Sequence, residues 1–203
     1  MTTDDSYDRR PGILGHYWFL TFGHAPALHA MATAVQQTIP VTDFAPVPVT
    51  GLHLTLDRIA RPEKCSAQQL DSIARAAQHA CRDRTPFTVR IAGVTNLHGA
   101  LAFTFESSNR IRELSGILRA ATLSVYPAAS FKDSHAAPHI TIAYPIATDM
   151  SVDASSIADR MNEAIAEVGV VIAEAELVLL ERHLHAYSWT TGSRIPLGSN
   201  INR

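Results

Sequence analysis

His53-Leu54-Thr55-Leu56 and His139-Ile140-Thr141-Ile142 are one tetrapeptide pattern written twice, 86 residues apart. Each copy alternates polar and apolar residues, the period of a strand with one face buried. In a strand, residues i and i+2 share a face at a separation of about 6.5–7 Å. His53 and Thr55 therefore face one way while Leu54 and Leu56 enter the core. His139 and Thr141 do the same in front of Ile140 and Ile142. Each strand offers an imidazole and a hydroxyl on a rigid support.

Working outward, the flanking sequence repeats the same grammar. Gly15 to Phe22 is aromatic-rich and reads as a strand, and Pro26 opens a helix carrying Leu28, Met31, Val35 and Ile39. Val47 to Ile59 alternates behind Pro46 and Pro48. Ser66 with Gln69 forms a capping-box signature for a helix to about Arg82. Phe87 to Ile91 and Ala100 to Phe105 read as a hairpin turning at His98-Gly99. Asn109 then caps a helix with Ile111, Leu114 and Leu118 on one face. A long loop, Tyr126 to Pro138, leads to the strand His139 to Tyr144. Ile157, Met161, Ile165 and Val168 predict a helix ending at Gly169. Glu174 to Glu181 and Leu184 to Thr190 close the chain as two strands. The order β-α-β-α-β-β-α-β-α-β-β, with short hairpins, predicts an antiparallel α+β fold.

The chain has 203 residues, 46% hydrophobic and 18% charged, which suits a folded core. Seventeen Lys+Arg against nineteen Asp+Glu leave a net charge of −2. That balance excludes an extended nucleic-acid-binding surface, but not recognition of one small nucleotide or strand end. Cys65 and Cys81 fall at opposite ends of one helix, about 24 Å apart at 1.5 Å per residue, and read as two reduced thiols. No apolar run reaches membrane-spanning length. Residues 1–12 read as a loose tail without a signal-peptide core, and residues 13–203 as a single domain, expected to be a cytoplasmic monomer with no membrane association.

Two imidazoles flanking one small group suit in-line attack at phosphorus. Near neutrality one takes a proton from the nucleophile while the other, protonated, gives one to the leaving oxygen. The two threonine hydroxyls bind the non-bridging oxygens. This chemistry needs no cofactor and no metal. His183 and His185 share a strand face, but no carboxylate or cysteine is placed to complete a zinc site with them. Tyr187 and Trp189, on one parity, pack in the core or stack a base. His135 lies just before the second motif as a possible substrate contact. His16, His24, His29, His79 and His98 need no role, and Arg110, Arg112 and Arg119 read as a solvated helix face.

The paired His-x-Thr-x motifs, Pro138-His-Ile-Thr-Ile-Ala-Tyr144, and the late Tyr187-Ser-Trp189 before Pro196-Leu-Gly198 resemble the 2H phosphoesterase superfamily. That group includes the RNA 2′,3′-cyclic phosphodiesterases also called 2′-5′ RNA ligases. The resemblance implies two pseudo-symmetric lobes with antiparallel sheets around a central groove and helices on the outer faces. It implies a metal-independent phosphodiesterase acting on a 2′,3′-cyclic phosphate or 2′-5′ linkage, with a nucleotide or RNA terminus as substrate. His53 and His139 would be the acid–base pair, assisted by Thr55 and Thr141. Many RNA-processing members place an arginine two positions after the second tetrapeptide; Tyr144 stands there. Arg58 occupies the equivalent place after the first, so both join His135, His183, His185, Tyr187 and Trp189 as expected substrate contacts. Two other readings stand beside this one: a non-catalytic nucleotide or phosphometabolite binder, and the same scaffold acting on a small non-RNA phosphodiester.

Overall fold

The computed structural model describes residues 11–97, 99–129, 131, 137–146, 154–163, 165, 167–183 and 186–198. Nine strands and four helices run in the order β1 (Gly12–Thr21), α1 (Pro26–Gln36), β2 (Phe44–Pro46), β3 (His53–Ala60), α2 (Ala67–Cys81), β4 (Phe87–Leu97), β5 (Ala100–Phe105), α3 (Asn109–Val125), β6 (Ile140–Pro145), α4 (Ala154–Asn162), β7 (Gly169–Ile172), β8 (Glu174–Arg182) and β9 (Tyr187–Pro196) among these residues. They form two antiparallel sheets, ordered β3-β1-β8-β9 and β2-β6-β5-β4-β7. Aligning β3 with β6, β1 with β5, β8 with β4 and β9 with β7 relates the sheets by a pseudo-two-fold, with β2 as an added edge. This is the mixed α+β fold the sequence predicts.

Each half lends a helix to the other. Helix α1, from the first half, packs on β6 and β7; α3, from the second, packs on β3. α4 covers β4 and β5, while α2 lies against α3 and β9. One apolar cluster runs from Trp18, Leu54 and Ile73 to Phe103, Ile142 and Ile172 and so joins the two sheets. Trp18 Nε1 donates to Thr122 Oγ1 at 3.0 Å, and that hydroxyl donates to Leu118 O at 2.8 Å. The buried indole and hydroxyl that dock α3 on β1 are thus satisfied.

Several boundaries differ from the sequence reading. Val47 to Ile59 is not one strand: the prolines at 46 and 48 withhold donors, β2 stops at Pro46, and a 3₁₀ turn at Val49–Gly51 precedes β3. Ser108 occupies the N-cap of α3, without a side-chain cap, and Asn109 is the first helical residue. Helix α4 ends at Asn162, and Gly169 begins strand β7, where Val170 and Ile172 turn inward. Short edge strands of this kind carry too few residues for periodicity to declare them. The first strand starts at Gly12, inside the expected tail, and the last runs from Tyr187 to Pro196. The expected capping box is present, Ser66 Oγ accepting from Gln69 N at 3.2 Å and Gln69 Oε1 from Ser66 N at 2.9 Å. Both cysteines are free and buried. His16 shares the helix-facing side of β1 with Trp18. The expected turn at His98 lies partly outside the described residues.

The two motif strands share an irregularity that alternation alone misses. On β3, Phe19 of β1 stands opposite Thr55 and Trp18 opposite Asp57, so Leu56 is an extra residue. On β6, Ala102 of β5 stands opposite Thr141 and Leu101 opposite Ala143, so Ile142 is extra. Both bulges fall three residues after the motif histidine. The extra residue restores position five after the histidine to the face of His and Thr. That position is Arg58 in one copy and Tyr144 in the other. The freed Ile142 carbonyl accepts from Val47 N at 2.8 Å and from Gln36 Nε2 at 2.8 Å.

Candidate active site

β3 and β6 touch across the two sheets, so the two motif strands are neighbours in space. His53 opens β3, and His139 stands immediately before β6 rather than within it. Both rings are held in the same way. His53 Nδ1 donates to Gly51 O and His139 Nδ1 donates to Ala137 O, each at 2.9 Å. A carbonyl only accepts, so Nδ1 carries hydrogen in each ring. In the neutral ring Nε2 is then the lone-pair nitrogen, the atom free to move a proton.

The surroundings of the two rings differ. His53 stacks on Phe19 at 4.4 Å between centroids and 13° between planes, with the edge of Trp189 at 5.0 Å. Phe19, Val178 and Leu180 form a second apolar cluster, with Tyr17, Tyr187 and Trp189 packed on it. At the pseudo-equivalent position of Phe19, opposite Thr141, stands Ala102, so the ring under the first motif has no counterpart at that position. Burial pushes the His53 imidazole below its ordinary 6.5, and the neighbouring His139 charge pushes the same way against the raising effect of the Gly51 carbonyl. Thr55 is exposed and Thr141 partly exposed, each on the face of its histidine.

A cleft of about 390 Å³ lies against His53, lined by Val47, Gly51, Tyr144, Tyr187, Ser188 and Trp189 among others. Tyr144 meets the edge of Tyr187 at 5.6 Å, and the Arg182 guanidinium lies 5.6 Å from the Tyr187 ring. Tyr187 and Trp189 thus both pack and line the cleft. Arg58 stands opposite Tyr17 on the site face of β3. His183 is exposed and shares a hydrogen bond of 2.7 Å with Ser188 Oγ, beside the cleft rather than in its lining. His135 and His185 lie outside the described residues. Among the described residues, no three His, Cys, Asp or Glu side chains gather as a metal site.

Two residues here escaped the sequence reading. Asp57, next to the first motif, is 7% exposed and takes Arg119 Nη2 at 2.9 Å, Arg119 Nε at 3.3 Å and Ser115 Oγ at 2.9 Å. Arg119 is therefore no solvated-face residue: it ties α3 to β3, and it lies 4.8 Å from the Phe131 ring in the loop before His139. Glu176, 4% exposed, accepts from Thr21 Oγ1 at 2.7 Å and Thr191 Oγ1 at 2.6 Å, joining β1, β8 and β9 at the site face. A carboxylate two residues from a strand's start carries no signal in sequence; its partners come from other strands.

The sequence model of the 2′-5′ RNA ligase superfamily matches residues 24–184. No curated protein sequence matches significantly. Among solved structures, a Thermus thermophilus protein superposes with a TM-score of 0.69 at 18% identity, covering 91% of this chain and 98% of its own. LigT of E. coli, complexed with NADP+, gives a TM-score of 0.65 at 16% identity over 94% of this chain and all (100%) of LigT. LigT complexed with 3′-AMP gives 0.66 at 16% identity over the same shares, 94% and 100%. Two histidines presented alike from pseudo-symmetric sheets define a 2H-type phosphoesterase architecture. The chain belongs to the 2′-5′ RNA ligase superfamily.

Proposed function

We propose that this protein is a metal-independent phosphodiesterase that hydrolyses a 2′,3′-cyclic phosphate or 2′-5′ phosphodiester of a nucleotide or RNA end. The observation that carries this reading is the matched anchoring of His53 and His139, each with Nδ1 on a backbone carbonyl and Nε2 left for proton transfer. His53, kept neutral by its apolar surroundings, takes the proton from the attacking water. His139, less enclosed, gives a proton to the leaving oxygen. Thr55 and Thr141 donate to the non-bridging oxygens as charge develops. The aromatic lining from Tyr144, Tyr187 and Trp189 fits a nucleobase beside the phosphate. The LigT structures with 3′-AMP and NADP+ are in keeping with a nucleotide in such a groove. Buried, free Cys65 and Cys81 suit a cytoplasmic enzyme, working here as a monomer.

Phosphorus NMR of cyclic mononucleotides, 2′-5′ dinucleotides and short RNAs with cyclic ends tests this directly. His53→Ala or His139→Ala should each lower turnover by roughly 10²–10⁴ while the far-UV spectrum is unchanged. Activity should persist in EDTA. Full turnover in both variants would refute the mechanism. Tyr144, in place of the arginine common among RNA-processing members, supports a second reading: a small non-RNA phosphodiester as substrate. Cleavage of mononucleotides but not of RNA ends would favour it. Tight calorimetric binding without product would instead mark a binding module.

A further inference from the structure

Arg58 is an arginine of the site face without a partner among the described residues. His53, Thr55 and Arg58 stand opposite Thr21, Phe19 and Tyr17, alternate residues of β1, so the three side chains form one row. Phe19 and Tyr17 are two residues apart, which places Arg58 about 7 Å beyond Thr55 along the strand. Arg58 is partly buried, yet among the described residues it makes no hydrogen bond or ion pair. A guanidinium with no partner among the described residues is free to take an anion in its planar fork. Among the described residues, the two buried carboxylates of this sheet are engaged elsewhere. Asp57 is held by Arg119 and Ser115 on the opposite face of β3, and Glu176 by Thr21 and Thr191, with Arg194 Nε at 3.9 Å. The pseudo-equivalent position holds Tyr144, which lines the aromatic end of the cleft. Arg58 is not in that lining; it ends the row of His53 and Thr55 with a cation.

We infer, resting on the function proposed above, that the substrate carries a second phosphate besides the reacting one, and that Arg58 binds it. Its base lies toward Tyr144, Tyr187 and Trp189, and the second phosphate lies one step along β3 from Thr55. That phosphate is either a 5′-monoester on the same nucleotide or the next internucleotide diester. Arg58 is a specificity residue and takes no part in proton transfer.

Three substrates test this: adenosine 2′,3′-cyclic phosphate with a free 5′-hydroxyl, the same compound with a 5′-phosphate, and a diadenosine dinucleotide ending in the cyclic phosphate. The readout is the ratio of kcat/KM for each substrate bearing two phosphates to that for the 5′-hydroxyl compound. In the wild type the ratio should be on the order of 10–100 for at least one of them, as expected for a charge-assisted contact. A preference for the 5′-phosphate or for the dinucleotide tells the two sources apart. Arg58→Gln should bring the ratio close to one, through KM rather than kcat, and Arg58→Lys should restore part of it. A wild-type ratio near one overturns the inference. So does a ratio that survives in Arg58→Gln, even if all rates fall together. Should the wild type turn over none of the three, the proposed function fails. Calorimetric affinities of the same compounds then decide the Arg58 inference separately: a second-phosphate advantage lost in Arg58→Gln upholds it, and equal affinities sink it.

Discussion

Phe19 and Trp189 give His53 surroundings that His139 lacks in the paired position, although the two motifs read alike. Their rings exclude water from one imidazole, and exclusion disfavours its charged form. The acid limb of kcat/KM, which reports the free enzyme, should therefore fall below the ordinary 6.5 of a histidine. Trp189→Ala admits water to the edge of His53 and should move that limb up toward 6.5. A pH–rate profile in which the limb stays put would show that Trp189 does not shield the ring. The same burial couples to stability. Above 6.5 His53 is neutral in folded and unfolded chains alike, and this linkage costs nothing. As the pH falls below 6.5 the unfolded chain takes up the proton first, so stability declines on acidification. His16, also lowered by burial, acts in the same sense. Tyr144 was legible as a departure from a pattern, but the reach of its ring to Tyr187 was not, since β6 and β9 belong to different sheets.

At the scale of elements, the ion pair between β3 and α3 governs how the first motif is seated. Asp57 follows the motif directly, and its carboxylate is almost wholly enclosed, whereas Arg119 is about one-third exposed at 32%. Removing the guanidinium strands the buried carboxylate with only the Ser115 hydroxyl. Arg119→Ala should cost roughly 3 kcal/mol in urea unfolding, toward the low end for a buried pair because one partner reaches solvent. Arg119→Lys should recover only part, because an ammonium cannot engage both carboxylate oxygens in the same fork. A loss under about 0.5 kcal/mol in Arg119→Ala would show the pair to be an ordinary surface contact. Helical periodicity put Arg119 on a polar face, correctly, but a polar face pressed on a strand is not a solvated one. The paired bulges were illegible for a related reason. An inserted residue shows only against the register of a neighbouring strand.

For the whole molecule, the exchange of α1 and α3 between halves leaves neither half able to bury its own sheet. The chain is expected to unfold as one cooperative unit. Tryptophan fluorescence, reporting Trp18 and Trp189, and far-UV circular dichroism should give coincident denaturation curves. Separate transitions would mean two independent lobes. The sequence alone determined the antiparallel α+β class, the capped α2 helix and the two motif strands, one opening at His53 and one beginning just after His139. It could do so because strand and helix periods are local and burial selects one face. Only the tertiary structure decided that α1 and α3 cross to the opposite sheets. It alone decided that bulges return Arg58 and Tyr144 to the site face, and that an aromatic bed separates His53 from its twin. Those features depend on register and on contacts between residues far apart in the chain, which no local period encodes. The repeated motif is symmetrical as sequence, and packing makes its two copies unequal.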